Sequence, residues 1–200
     1  MSNETWFSQL KTNYKDVPVT TEGIDTVGFY EASEEVVKLF DLLNSTAFTP
    51  VKTDLGGNVN KIRTKYTTNP SNYNTLQKLV TTEAKEGKER PASQGLLWLL
   101  RGLDFTSKAL RRNLDNPQEE LSVSFTEAYG LTLKKYHNFV VRPIFSLAMK
   151  ACPYRKDFYA KLGSDLPTVQ AEMNEWLTSL ESLVAQMMEF FQKDGLDKGL

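Results

Sequence analysis

The chain has 200 residues, with 24 Lys and Arg against 25 Asp and Glu, one Cys and one His. A net charge of -1 argues against a general nucleic-acid binder, which normally carries a basic excess. One Cys and one His cannot build an internal disulfide, a cysteine-based zinc site or a multi-histidine centre, so we expect neither metal nor cofactor. The length suits one domain over residues 1–200.

The sequence carries no signal for export or for membrane insertion. Its start lacks a basic segment followed by an apolar one. The longest apolar runs, 96–100 and 139–149, are shorter than the roughly 20 residues that a spanning helix needs. We therefore expect a monomeric cytoplasmic protein whose contact with membranes is peripheral and transient.

Apolar residues recur at helical spacing along the first half of the chain, without the alternation typical of strands. A helix is predicted over 24–43, with Asp25 or Thr26 as its cap, and a second one begins at Pro50. A short helix follows around 76–80. The run 96–103 is apolar almost all round, which predicts a central buried helix.

The second half continues the pattern. Residues 118–151 repeat at helical spacing, and Pro143 should kink or break that helix. A short helix is predicted over 154–162, ended by Gly163, and a last helix opens at Asp165 and Pro167. The sequence thus predicts an all-α single domain of about eight helices.

Three polar residues of the second helix form a row. Asp54, Asn58 and Lys61 are spaced four and three apart, so they share one helix face beside an apolar stripe. A carboxylate, an amide and an ammonium suit a sugar, whose hydroxyls both donate and accept, but the row could equally be an ordinary solvated face. The adjacent Gly56 and Gly57 cost helix stability, which is understandable if something approaches the backbone closely.

Four blocks carry a resemblance to a known family: FTPVKTDLGGNVNKI (48–62), LWLLRGL (97–103), LKKYH (133–137) and ACPYRKDF (151–158). In order and spacing they resemble the glycolipid transfer protein family, most of all its fungal heterokaryon-incompatibility branch, over about residues 25–162. The resemblance implies a two-layer helical sandwich that extracts a glycosphingolipid from one membrane and carries it to another without catalysis.

The resemblance also implies residue roles. Asp54, Asn58 and Lys61 would hydrogen-bond the first sugar, and Trp98 would stack under it. Asp54 and His137 would clamp the ceramide amide as acceptor and donor. Taken alone, Trp98 could be ordinary core and His137 a structural histidine. Because Asn58 and Trp98 are retained where the ceramide-1-phosphate branch has cations, we expect a neutral headgroup, that of glucosylceramide or galactosylceramide.

A carrier also needs an apolar tunnel and a surface that docks on membranes. Residues 134–161 hold seven basic and one acidic residue, against two basic and seven acidic residues in 162–200. The basic residues could simply solubilise helices, but aromatic and aliphatic neighbours favour membrane docking, for which we expect Phe139, Arg142, Ile144 and Tyr154. The tunnel candidates, each indistinguishable from core, are Phe40, Phe48, Val51, Phe105, Leu133, Phe145 and Leu147.

Other functions stay open at this point. A glycosphingolipid sensor or adaptor would need a partner, and residues 38–41 match only part of a two-Phe motif for tethering to the endoplasmic reticulum. An enzyme using Asp54 and His137 would lack a nucleophile motif, a phosphate loop and a metal set. In animal members of the family, an aromatic residue of the C-terminal segment closes over the sugar site. No aromatic residue follows Phe191 here, so the resemblance does not extend to that closure.

Overall fold

The computed structural model describes residues 4–87, 89–193 and 195–200. Residues 1–3, the start of the segment considered above for an export signal, lie outside the described residues. None of the described helices is both long and apolar enough to cross a bilayer. The eight helices of the described chain are α1 (Thr26–Leu42), α2 (Thr49–Thr68), α3 (Leu76–Glu86), α4 (Pro91–Asp115), α5 (Leu121–Leu131), α6 (Val141–Lys150), α7 (Arg155–Leu162) and α8 (Leu166–Lys193).

The predicted helix starts are confirmed by their caps. The Asp25 carboxylate accepts a hydrogen bond from the Gly28 amide at 2.7 Å, which fixes the start of α1. The Asp165 carboxylate accepts from the Thr168 amide at 3.3 Å and starts α8. Helix α4 is capped by a residue of another helix, because the buried Glu83 carboxylate of α3 accepts from the backbone amides of Ala92 and Ser93 in the first turn of α4. These caps satisfy N–H groups that the helices themselves leave free.

A small β-ribbon was not predicted. Strands β1 (Val19–Thr20) and β2 (Gly23–Ile24) pair antiparallel through a tight turn. Gly23 has a φ of +134°, a conformation that glycine adopts readily and other residues avoid. Strands this short carry too little alternation to be recognised in a sequence.

The helix predicted over 118–151 is broken, but the break lies before Pro143 and not at it, so the predicted position was wrong. Helix α5 ends at Leu131, and a 3₁₀ turn over Leu133–Lys135 leads into an irregular stretch before α6 begins at Val141. Pro143 lies in the first turn of α6, where its missing N–H costs no intrahelical hydrogen bond. The break leaves residues 136–140 free to fold back over the neighbouring helices.

Helix α4 occupies the centre of the fold, since it contacts α2, α3, α5 and α8. Its leucine-rich stretch is buried as predicted, and Leu96, Leu99 and Leu100 are each 0% exposed. Trp98, on the other side of the same stretch, is only half-buried. The central helix therefore presents one large aromatic side chain at the surface.

Helices α2 and α4 approach each other closely at two glycines of α4. A Cβ atom at Gly95 would lie 3.0 Å from the Cδ atom of Lys61, and one at Gly102 would lie 2.7 Å from a methyl carbon of Leu55. The two glycines are two helical turns apart, so both face α2. We call this contact the glycine seam; it brings the polar row of α2 alongside Trp98.

We expect Gly102→Ala to destabilise the protein by about 1–3 kcal/mol, because the new methyl group overlaps Leu55 and forces the helices apart. Urea unfolding measures the change. The matched control is Gly56→Ala on α2, where an added Cβ meets nothing within 4 Å. That control should stabilise the protein by about 0.5–1 kcal/mol, since alanine is the better helix former. A Gly102→Ala variant as stable as wild type would contradict the seam.

Candidate functional site

The predicted polar row exists and is internally hydrogen-bonded. The side-chain amide of Asn58 donates to Asp54 Oδ2 at 3.3 Å, and Lys61 Nζ donates to Asn58 Oδ1 at 3.3 Å. Asn58 is 3% exposed, whereas Asp54 and Lys61 reach solvent. The buried amide thus holds a carboxylate and an ammonium in fixed positions on the surface.

The environment of Asp54 suits a hydrogen-bond acceptor. Desolvation raises the pKa of its carboxyl above the usual value, while Lys61 and the Asn58 hydrogen bond oppose that rise. Asp54 is exposed, so its carboxylate keeps much of its hydration, and the rise in pKa is that of a partly desolvated surface group. A ligand N–H would restore part of the hydration that this oxygen has lost.

Trp98 belongs to a cluster of rings rather than to the core. Its indole lies nearly parallel to the His137 imidazole, at 14° and 6.3 Å between centroids. Tyr136 packs edge-on against it, with centroids 6.1 Å apart. The Arg101 guanidinium lies 4.7 Å from the Trp98 ring and 3.9 Å from the Tyr136 ring, in cation–π contact with both. These contacts fix the orientation of the indole.

His137 is half-buried behind the polar row. The Tyr129 hydroxyl lies 3.1 Å from His137 Nδ1, and the Phe145 ring lies 4.4 Å from the imidazole. Desolvation, and then the positive charge of Arg142, lower the pKa of His137 below its usual value. The imidazole is therefore neutral at physiological pH, with one nitrogen as donor and the other as acceptor.

These side chains line one surface pocket of about 540 Å³. It brings together all five residues predicted to bind the headgroup and the amide: Asp54, Asn58, Lys61, Trp98 and His137. Its remaining wall is Pro50, Gln94, Tyr136, Asn138, Val141, Ile144 and Phe145. Tyr136 and Asn138 were not predicted, because they follow the unexpected break after α5. A larger opening of about 830 Å³ beside α7 contains none of the five.

The two glycines of α2 have no packing role in the structure. A Cβ atom at Gly56 or Gly57 would meet nothing within 4 Å. Gly57 is exposed and precedes the buried Asn58, so it lies next to the polar row. The prediction that these glycines admit a ligand close to the backbone stays a prediction.

Six of the seven tunnel candidates lie in the core, between 0% and 7% exposed: Phe40, Phe48, Val51, Phe105, Leu133 and Phe145. Ring contacts of 5.3–6.4 Å between centroids lead inwards from the pocket through Phe145, Tyr129, Phe105, Phe125, Phe48 and Phe40. We call this series the aromatic path. Leu147 is the exception: it is 65% exposed, so its placement in the tunnel was wrong.

The four predicted docking residues are exposed. Phe139 is 83%, Tyr154 68% and Ile144 44% exposed, and Arg142 is also exposed. Leu147 joins Val140 and Ile144 at helical spacing, and these three residues form what we call the exposed stripe of α6. By contrast Phe40, the aromatic of the suggested tethering motif, is 2% exposed and is not accessible to a tethering partner.

Within the described residues, no group of His, Cys, Asp and Glu side chains is arranged to hold a metal ion. The single Cys152 is half-buried, and burial raises the pKa of its thiol to about 12. A thiol with that pKa is a poor nucleophile at neutral pH.

The raised pKa of Asp54 has a consequence for stability. A carboxyl whose pKa is higher in the folded state makes the fold less stable at a pH where it is ionised. We expect Asp54→Asn to melt at a higher temperature than wild type at pH 7, and we expect the difference to shrink as the pH falls towards 4. Calorimetry at several pH values measures this.

The control for that experiment is Asp104→Asn, which loses an ion pair with Lys108 at 2.8 Å and should not raise the melting temperature. A lower melting temperature for Asp54→Asn at pH 7 would show that the Lys61 and Asn58 contacts outweigh desolvation.

Comparisons with known proteins agree on one family. The model of the glycolipid transfer protein (GLTP) family matches residues 24–164. A glycolipid transfer protein of Aureobasidium melanogenum is 52% identical over 186 residues, which cover 93% of this chain and 92% of that protein.

Solved structures extend the agreement to the fold. HET-C2, a fungal glycolipid transfer protein, matches with a TM-score of 0.90 and 46% identity, covering 94% of this chain and 97% of that chain. The GLTP-fold of FAPP2, described as selecting simple glycosphingolipids, matches with a TM-score of 0.88 and 32% identity over 96% and 97% of the two chains. The predicted all-α two-layer fold is confirmed, and the chain belongs to the glycolipid transfer protein family.

Proposed function

We propose that this protein, acting as a monomer that visits membranes transiently, transfers glucosylceramide or galactosylceramide between them. The observation that carries the proposal is the pocket in which a hydrogen-bonding row, an indole and a neutral imidazole meet at the entrance to an apolar interior. The names of its relatives support the class of cargo. No covalent bond of the cargo changes in this function.

The headgroup would lie against the polar row and the indole. Asp54 can accept from a sugar hydroxyl, and Asn58 and Lys61 can donate to the others. The apolar C–H face of the sugar would lie against the Trp98 ring, on the face opposite the Arg101 guanidinium, while Tyr136 packs on the ring edge-on. Lys61 is the one cation among the pocket's lining residues, which favours a neutral sugar over a phosphate.

The ceramide amide would sit between Asp54 and His137. A carboxylate supplies an acceptor for the amide N–H, and a neutral imidazole can supply a donor for its carbonyl. An amide buried without both partners costs roughly 1–3 kcal/mol, so the pair discriminates between lipids with and without an amide. Free fatty acids and glycerolipids have no amide N–H to donate to Asp54.

The chains would enter along the aromatic path. Each CH₂ group gains roughly 0.8 kcal/mol on moving from water to an apolar site, but a chain that leaves a bilayer gives up similar contacts. Chain transfer is therefore close to balanced, and the polar contacts decide which lipid is taken. Because the path is filled by packed rings, side chains such as Phe145 and Phe105 must move aside to admit a chain.

Docking would use the exposed stripe of α6 together with Phe139. Apolar side chains this exposed contribute little to the stability of the fold in water, but they can insert among lipid headgroups and acyl chains. Arg142 lies among them and can contact lipid phosphates. The pocket shares Ile144 with the stripe, so its opening lies next to the docking surface.

We expect Asp54→Val and Trp98→Ala each to lower the transfer of fluorescent glucosylceramide between vesicles by at least about tenfold. Asp54 would contribute charge-assisted hydrogen bonds of roughly 1.5–3 kcal/mol, and Trp98 the burial of the sugar face. Helical circular dichroism should be unchanged in both variants. The matched control is Thr53→Val on the exposed side of α2, which should transfer at the wild-type rate.

Native mass spectrometry of the protein mixed with hexosylceramide, ceramide-1-phosphate, sphingomyelin and phosphatidylcholine identifies the cargo. We expect hexosylceramide to be retained. Normal transfer by both variants would contradict the site, and retention of ceramide-1-phosphate would contradict the neutral headgroup.

We expect Phe139→Ser combined with Leu147→Ser to weaken sedimentation with vesicles several-fold while leaving binding of a short-chain, water-soluble glucosylceramide unchanged. The reason is that these side chains would enter the membrane without touching the headgroup. Leu131→Ser is the matched control, since Leu131 is 71% exposed but lies beside residues of α4 and α8. Equal loss in the control would mean that general hydrophobicity, and not this surface, governs docking.

A further inference from the structure

Tyr129 belongs to the aromatic path, and its hydroxyl also contacts His137, a contact to which no function has been given so far. It is 5% exposed, and its ring stacks on Phe145 at 5.3 Å between centroids and 15° between planes. Its hydroxyl lies 3.1 Å from His137 Nδ1. Tyr129 thus touches the imidazole on the side of Nδ1, away from Nε2.

The direction of this hydrogen bond follows from the proton count. Burial raises the pKa of Tyr129 above its usual value, with Arg142 opposing the rise, so the phenol keeps its proton at neutral pH. Among the described residues, His137 Nδ1 is the hydrogen-bond partner of this hydroxyl. If Nδ1 carried a proton and donated, the buried phenol proton would have no acceptor, which is costly. The hydroxyl therefore donates to Nδ1.

We propose that Tyr129 is a positioning residue that holds His137 in the tautomer with its proton on Nε2, and that it thereby makes the imidazole a donor towards the pocket. This rests on the proposed function, in which His137 donates to the carbonyl of the lipid amide. The opposite tautomer would direct the lone pair of Nε2 at the carbonyl oxygen, and two acceptors repel each other. Asp54 cannot compensate, because an ionised carboxylate only accepts.

The test uses the fact that the chain has a single histidine, so one imidazole accounts for all histidine side-chain signals. Nitrogen-15 NMR of the uniformly labelled protein, recorded above the pKa of His137, reports which ring nitrogen is protonated. We expect one tautomer in wild type, with the proton on Nε2, and a mixture of both in Tyr129→Phe. The phenylalanine keeps the ring that packs on Phe145, so the variant should fold.

Binding provides the second measurement. Tyr129→Phe should weaken glucosylceramide binding about five- to tenfold, the effect of one neutral hydrogen bond. In a His137→Ala background the same change should have no further effect, because there is no imidazole left to orient. The matched control is Tyr14→Phe, which removes another buried hydroxyl, one that donates to Ser33 at 3.0 Å, and should bind like wild type.

The outcomes separate the two proposals. A proton on Nδ1 in wild type, an unchanged single tautomer in Tyr129→Phe, or an equal loss of binding in the His137→Ala background would overturn the role of Tyr129. If the tautomers behave as expected but wild type binds no glycosphingolipid, Tyr129 does set the tautomer of His137 and only the proposed function fails.

Discussion

The close approach of α2 and α4 is the contact on which the site depends. Gly95 and Gly102 each cost about 0.5–1 kcal/mol of helix stability relative to alanine. Because they have no side chain, Lys61 and Leu55 of α2 pack directly against the backbone of α4. Lys61 packs over Gly95, and Asn58 is buried next to it. Trp98 is three residues after Gly95 and four before Gly102, so it lies near the same face of α4. Its ring lines the same pocket as the polar row. With a larger residue in the seam, the side chains of Lys61 and Leu55 would have to shift from the positions that they hold beside α4.

Desolvation gives the assembled groups their chemical character. Desolvation raises the pKa of the exposed Asp54 carboxyl and lowers the pKa of the half-buried His137. It therefore leaves an acceptor short of water on one side of the pocket and a neutral ring on the other. Neither group finds a complete set of partners within the protein. A site of this kind stabilises a ligand that offers both an N–H and a carbonyl, and it gains little from one that offers neither.

Much of this could be predicted from the sequence, because it depends on local spacing. The shared face of Asp54, Asn58 and Lys61 follows from helical periodicity, and the caps at Asp25 and Asp165 follow from residue type. The break after α5 could not be predicted, since apolar spacing continues across it and only packing against other helices decides where the helix ends. The contact of Tyr129 with His137 depends on that break. Leu147 was misplaced for a related reason: periodicity finds an apolar face without revealing whether protein or solvent covers it.

Helix α6 is apolar on two sides, so on the proposed function it would link the membrane surface to the interior. One side, with Phe145, Ala148 and Met149, is buried in the core, while the exposed stripe points to solvent. Phe145 also begins the aromatic path, and Ile144 borders both the pocket and the stripe. In water the exposed stripe has no apolar surface to pack against, whereas at a membrane it can insert among the lipids. On the proposed function, insertion of the stripe would therefore place the start of the aromatic path next to the membrane from which the lipid comes.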